Sequence, residues 1–186
     1  MVASFLLISC NEPRNNASSL NKDQNEAAEA SNADKFQGKK QQDAVFVYGS
    51  VASNYGEIKL AELAIQRSRT TEVKQIAAKL LTDHTASLNE LKMLAQSKAI
   101  SVPVEETDVA KRKLKSIAEK TGEVFDLDWC NEMLDLHRTN IDKFEKRLAE
   151  TEDPELKVFI EKTLAVLRHH RQTLEASNER LKGKSS

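Results

Sequence analysis

From Gln41 to the C-terminal end, apolar residues recur at steps of three and four, with polar residues between them. That period marks the amphipathic helix, in which one stripe faces a core and the rest faces water. Four long stretches carry it. The first runs from about Gln41 to Arg67, with Ala44, Tyr48, Val51, Tyr55, Ile58 and Ile65 on its stripe. The second follows Thr71, read as its N-cap, and reaches about Lys98 through Val73, Ile76, Leu80, His84, Leu88 and Leu91. The third spans about Glu123 to Ala149 through Cys130, Leu134, His137, Ile141, Phe144 and Leu148. The fourth opens on Asp153 as N-cap and Pro154 at the first helical position, where a missing N–H costs nothing. Its stripe holds Leu156, Phe159, Ile160, Leu167, His170, Leu174 and Leu181.

The connections set the topology. Links between the first and second helices, and between the third and fourth, are a few residues long, so each pair is an antiparallel hairpin. Between the hairpins Pro103 stops one helix, and Thr107 or Asp108 starts a shorter one ending near Gly122. A connection of about twenty residues between long helices is a crossover. The expected fold class is therefore all-α. It is a ferritin-like antiparallel four-helix bundle over residues 41–182, two hairpins joined by a long crossover carrying a short extra helix. Residues 183–186 are expected to be a disordered tail.

The first 40 residues lack this pattern. Residues 11–40 hold two large apolar side chains, Leu20 and Phe36, among Asn, Ser, Ala and charge. Such a stretch buries too little surface to offset ordering entropy, so it reads as a disordered polar tether. Residues 1–10 end in Leu7-Ile8-Ser9-Cys10, the lipobox pattern of a bacterial lipoprotein signal. Cys10 is the candidate lipidation site. The apolar run before it is short and lacks a basic start, as in a truncated signal peptide. A lipid-anchored protein of the cell envelope is expected, on the periplasmic side of the outer membrane, with the membrane as its partner. Cys130 has no second cysteine in the folded part, so no disulfide framework exists.

Charge narrows the classes further. The chain has 28 basic and 29 acidic residues, a balance that argues against nucleic acid as a partner. No nucleophile–base pair or phosphate loop appears, so an enzyme is the less favoured reading. The candidate chemistry lies in the histidines: His84, His137, His169 and His170 are the only four. At about 100° per residue, His84, His137 and His170 fall on the apolar stripes of three different helices. His169 falls on the solvated side with Arg168 and Arg171. Three converging imidazoles with a carboxylate suit a transition metal such as zinc, iron or copper. Helix one offers Glu57 and Glu62 as the carboxylate. Asp83, Asp135 and Tyr55 are candidates to accept from the outer ring nitrogens. Histidines that only hydrogen-bond within a core are the alternative.

The segments "DAVFVYGSVASNYGEIKLAELA", "EVKQIAAKLLTDHT", "LDLHRTNIDKFEK" and "DPELKVFIEKTLAVLRHHRQTL" resemble the bacterial domain-of-unknown-function family 4142. The resemblance covers about Gln41 to Asn178. It implies a ferritin-like fold and an exported, cell-envelope location, and it carries no established activity. The family pattern places its helix-two Asp-His on Asp83 and His84, its later histidines on His137 and His170, and its helix-one Glu on Glu57. The residue three before each inward histidine is Leu81, Leu134 or Leu167. The Glu-x-x-His of di-iron carboxylate bundles is absent, and any metal site here is richer in histidine. Two functions compete: an envelope-anchored bundle with a structural or partner-binding role, including stress tolerance, and a metal-binding or redox protein.

Overall fold

The structure, a computed structural model, describes residues 14–184; Cys10 and its lipobox lie outside them. Six helices follow one another: α1 (Arg14–Lys35), α2 (Gly38–Arg67), α3 (Thr71–Ser97), α4 (Asp108–Ala118), α5 (Gly122–Glu150) and α6 (Pro154–Lys184). Among the described residues there is no strand. The long helices α2, α3, α5 and α6 form the expected bundle. α2 packs on α3 and α5 on α6 as hairpins, with α3 on α6 and α2 on α5 closing the square. The crossover helix α4 lies against α2 and α5. No helix among the described residues is long and apolar enough to cross a membrane.

Helix ends follow their capping chemistry. Asp153 Oδ1 accepts from Leu156 N at 2.9 Å, and Thr107 accepts from Ala110 N at 3.2 Å, as their residue types predict. The start of α3 differs from expectation. Thr70, not Thr71, is its N-cap, and the Thr70 hydroxyl donates to the Asp126 carboxylate on α5 rather than capping its own helix.

The tether is the main correction. Residues 14–35 form α1 instead of a disordered segment. The composition argument counts apolar area, whereas α1 is held by asparagines that bond the crossover backbone. Asn32, 4% exposed, donates to Ser101 O at 2.7 Å and accepts from Ser101 N at 2.8 Å. Asn25 Oδ1 accepts from Val104 N at 2.9 Å, and Tyr48 of α2 donates to Asn25 O at 3.1 Å. These contacts pair backbone groups of the crossover that have no helical partner.

The core divides into two apolar clusters along the bundle. One joins Leu60, Ala64, Val73, Leu80, Phe125, Trp129, Leu174 and Leu181. The other joins Val47, Val51, Leu88, Leu91, Ile141, Phe144, Phe159 and Ile160. Every long helix passes from one cluster to the other: α2 between Val51 and Leu60, α3 between Leu80 and Leu88, α5 between Leu134 and Ile141, α6 between Leu167 and Leu174. Each crossing falls at the same level. The residues there are polar.

Candidate metal centre

The level between the clusters contains Asn54 and Glu57 from α2, His84 from α3, His137 and Asn140 from α5, and His170 from α6, all buried. Helix periodicity explains the convergence. His84 lies four residues after Leu80, His137 three after Leu134, and His170 three after Leu167, so each continues a core stripe. Ring centroids are 5.3 Å apart for His84–His137 and His137–His170, and 5.5 Å for His84–His170. One nitrogen from each ring lies within 4.8 Å of the others.

The outer nitrogens are committed. His137 Nδ1 donates to Met133 O, one turn back on α5, at 2.7 Å. His170 Nε2 donates to Asp83 Oδ2 on α3 at 2.7 Å. His84 Nδ1 donates to Asn54 Oδ1 at 3.1 Å, and the Asn54 amide nitrogen is spent on Ser50 O at 2.9 Å, which fixes its orientation. A carbonyl, a carboxylate and an amide oxygen can only accept, so these partners set the tautomer of each neutral ring. The inner nitrogens, His84 Nε2, His137 Nε2 and His170 Nδ1, then carry bare lone pairs.

Two of those lone pairs meet. His137 Nε2 and His170 Nδ1 are 3.2 Å apart with no proton of their own to share. Burial pushes His137, His84 and His170 down to about 4, so near neutral pH none supplies the missing proton. For His170 the Asp83 carboxylate works against that fall without cancelling it.

Glu57 completes the layer. Its Oε1 accepts from Asn140 Nδ2 at 2.8 Å and from Ser53 Oγ at 3.0 Å. Its Oε2 lies 3.3 Å from His84 Nε2 and 3.5 Å from His137 Nδ1. Both Glu57 Oε2 and His84 Nε2 are buried without a hydrogen-bond partner. Burial raises the Glu57 pKa, although His137 and the Ser53 and Asn140 hydrogen bonds favour the charged form.

Asp83 performs the orienting role expected of it, toward another helix. It serves His170 of α6, not its sequence neighbour His84, and is braced on its outer side by Lys79 Nζ at 2.5 Å. Partial burial raises its pKa, but Lys79 and His170 outweigh that and hold it below the ordinary carboxylate value.

Three expected residues lie elsewhere. Glu62 pairs with Lys59 at 3.1 Å on the α2 surface. Asp135 is 75% exposed and lies 3.8 Å from Arg138, because two residues before His137 is about 200° around the helix. Tyr55 sets its ring under Lys92 Nζ, 4.9 Å from the centroid. His169 is exposed, as its position beside Arg168 implies. Cys130 belongs to the apolar cluster and donates to Leu174 O at 3.4 Å. Sequence reasoning missed Ser53, Asn140 and Met133 O. The first two lie four residues before Glu57 and three after His137, the spacings that share a helix face.

An all-helical bundle with a buried histidine cluster at mid-height is the class defined by this fold and site. The chain belongs to the family described as a domain of unknown function, DUF4142, whose profile matches residues 16–176. That match begins within α1. No curated protein and no solved structure matches the chain.

Proposed function

We propose that this bundle binds one divalent transition-metal ion through His84 Nε2, His137 Nε2, His170 Nδ1 and Glu57 Oε2. The supporting observation is the set of three buried lone pairs, each turned inward by an acceptor on the ring's other nitrogen. A tetrahedral ion with bonds near 2 Å sets its ligand atoms about 3.3 Å apart. The His137–His170 nitrogen pair at 3.2 Å and the His84–Glu57 pair at 3.3 Å already have that spacing. A cation also turns the facing lone pairs from a repulsion into two bonds. The donor set, three imidazoles and one carboxylate, suits zinc, copper(II) or iron(II).

Metal analysis of untagged protein, after reconstitution with each of the three ions, tests this. One ion per chain is expected, falling to a trace in His137→Ala. If all three ions stay far below one per chain and none shifts the melting temperature, the histidines are core polars. The bundle is then structural or partner-binding.

We further propose that the domain is tethered to a membrane of the cell envelope by lipid on Cys10, on the strength of Leu7-Ile8-Ser9-Cys10. Mass spectrometry of membrane-expressed protein should find Cys10 acylated at a new N-terminus. An unmodified, uncleaved N-terminus refutes the anchor.

A further inference from the structure

A cavity of about 190 Å³ lies directly against the histidine layer, between α2, α3, α5 and α6. His84, His170 and Glu57 line it, while His137 does not. The four groups are therefore arranged unequally. His137 is fully buried and takes no part in the lining, whereas the other three border the cavity together with Asn54 and Asp83, the acceptors of the His84 and His170 rings. An ion held by the four groups would keep a face toward that space.

Resting on the metal reading, we propose that the cavity admits a small monoanion, a short-chain carboxylate, whose head binds the ion as a fifth ligand, expanding the four-coordinate protein set, and whose tail fills the remaining volume. Three observations select this class. The first is size: an apolar void of about 150 Å³ takes up a benzene molecule, so this cavity exceeds what one water needs. The second is the two-sided lining. Ser53 and Asn140, which already hold Glu57, lie on its polar side, and Phe144, Val166 and Leu167 form an apolar wall. The third is charge. A divalent ion beside ionised Glu57 leaves one positive charge, because Asp83 is matched by Lys79. One anionic head group neutralises it, and in a buried site such neutralisation is strongly favoured.

Entry is provided at the rim. Glu90 and Lys162 both line the cavity and bond each other at 2.6 Å, with Lys162 65% exposed. Exposed ion pairs of this kind contribute roughly 0–1 kcal/mol and open readily.

Cobalt(II)-loaded protein provides the test, since its visible spectrum reports both ion binding and any new ligand. Propionate and azide are the probes. Saturable change with propionate is expected at one cobalt per chain. Val166→Phe and, separately, Ser87→Leu, which place bulk in the cavity, should weaken propionate about tenfold or more. Their cobalt stoichiometry and melting temperature should stay unchanged. One bound cobalt whose spectrum neither anion moves overturns the cavity proposal and leaves the metal reading standing. A response to azide alone overturns the carboxylate class. Propionate binding equally well in both variants places it outside the cavity and overturns the proposal. Failure to bind cobalt removes the metal reading and this proposal together.

Discussion

His137 Nε2 and His170 Nδ1 point at one another across 3.2 Å, while Met133 O and Asp83 hold the protons of the opposite ring nitrogens. A fold in which both rings are neutral keeps this contact only at a cost. The cost vanishes when a cation lies between them. Removal of metal should therefore loosen the protein: at ion concentrations of about a hundred times Kd, bound ion adds about 2.7 kcal/mol. For a chain of this size that corresponds to roughly 5–10 °C in Tm, to be read by calorimetry before and after chelation.

Glu57→Gln should separate affinity from stability. The amide keeps the shape and an oxygen for Asn140, but it removes the charged ligand and the burden of a buried carboxylate. Metal affinity should fall at least about tenfold in a competition titration with a chelator. The metal-free variant should melt no lower than the metal-free parent.

Asp83→Asn tests whether orientation of His170 matters. The carboxylate sets that ring from outside, so its loss should weaken metal binding by about 10–100-fold without changing stoichiometry. Asp135→Asn, at an exposed position expected from sequence to serve the same purpose, should change nothing in the same titration.

The metal-free protein should lose stability in a defined acid window. His84 and His137 are depressed to about 4 in the fold, against 6.5 when free. The unfolded chain then takes up protons first, so stability is full above pH 6.5 and declines as pH falls toward 4. For one such histidine the loss is roughly 3 kcal/mol. Urea titrations across this range, with and without metal, provide the measurement. Trp129, fully buried and donating to Leu60 O at 2.8 Å, supplies a fluorescence signal.

Asn32→Ala should destabilise the attachment of α1 by about 1–3 kcal/mol, because it leaves the Ser101 N–H and C=O without their partner. Limited proteolysis should then release the N-terminal segment faster while sparing the four-helix core.

The helices and their pairing were legible because apolar period and connection length are local properties of the chain. Pro154 and Asp153 mark the start of α6 by chemistry alone, and the stripe positions of His84, His137 and His170 turn them inward. What escaped detection depends on contacts between distant segments. α1 is read as a tether because its attachment runs through Asn25 and Asn32 to backbone at Ser101 and Val104, and no hydropathy pattern records that. Asp83 beside His84 looks like that residue's helper, yet adjacent residues on a helix diverge by about 100°, and it reaches the ring on α6 instead. Glu57 and Glu62 lie five residues apart, about 140° around α2, and the buried face runs through Val47, Asn54, Glu57 and Ala61, leaving Glu62 at its edge with Ile58 and Ile65.

The apolar interior is interrupted at mid-length, with Trp129 and Phe125 on one side of the polar level and Phe144 and Phe159 on the other. Mechanically the domain is two short bundles set end to end on shared helices. Between the two apolar clusters, the histidine level is where side chains of all four long helices meet. With an ion in place, the halves should melt as one unit in a single sharp transition. Without it, the joint is weakest where the core is polar, and the halves can part company on heating, so cooperativity itself becomes a property conferred by the ion.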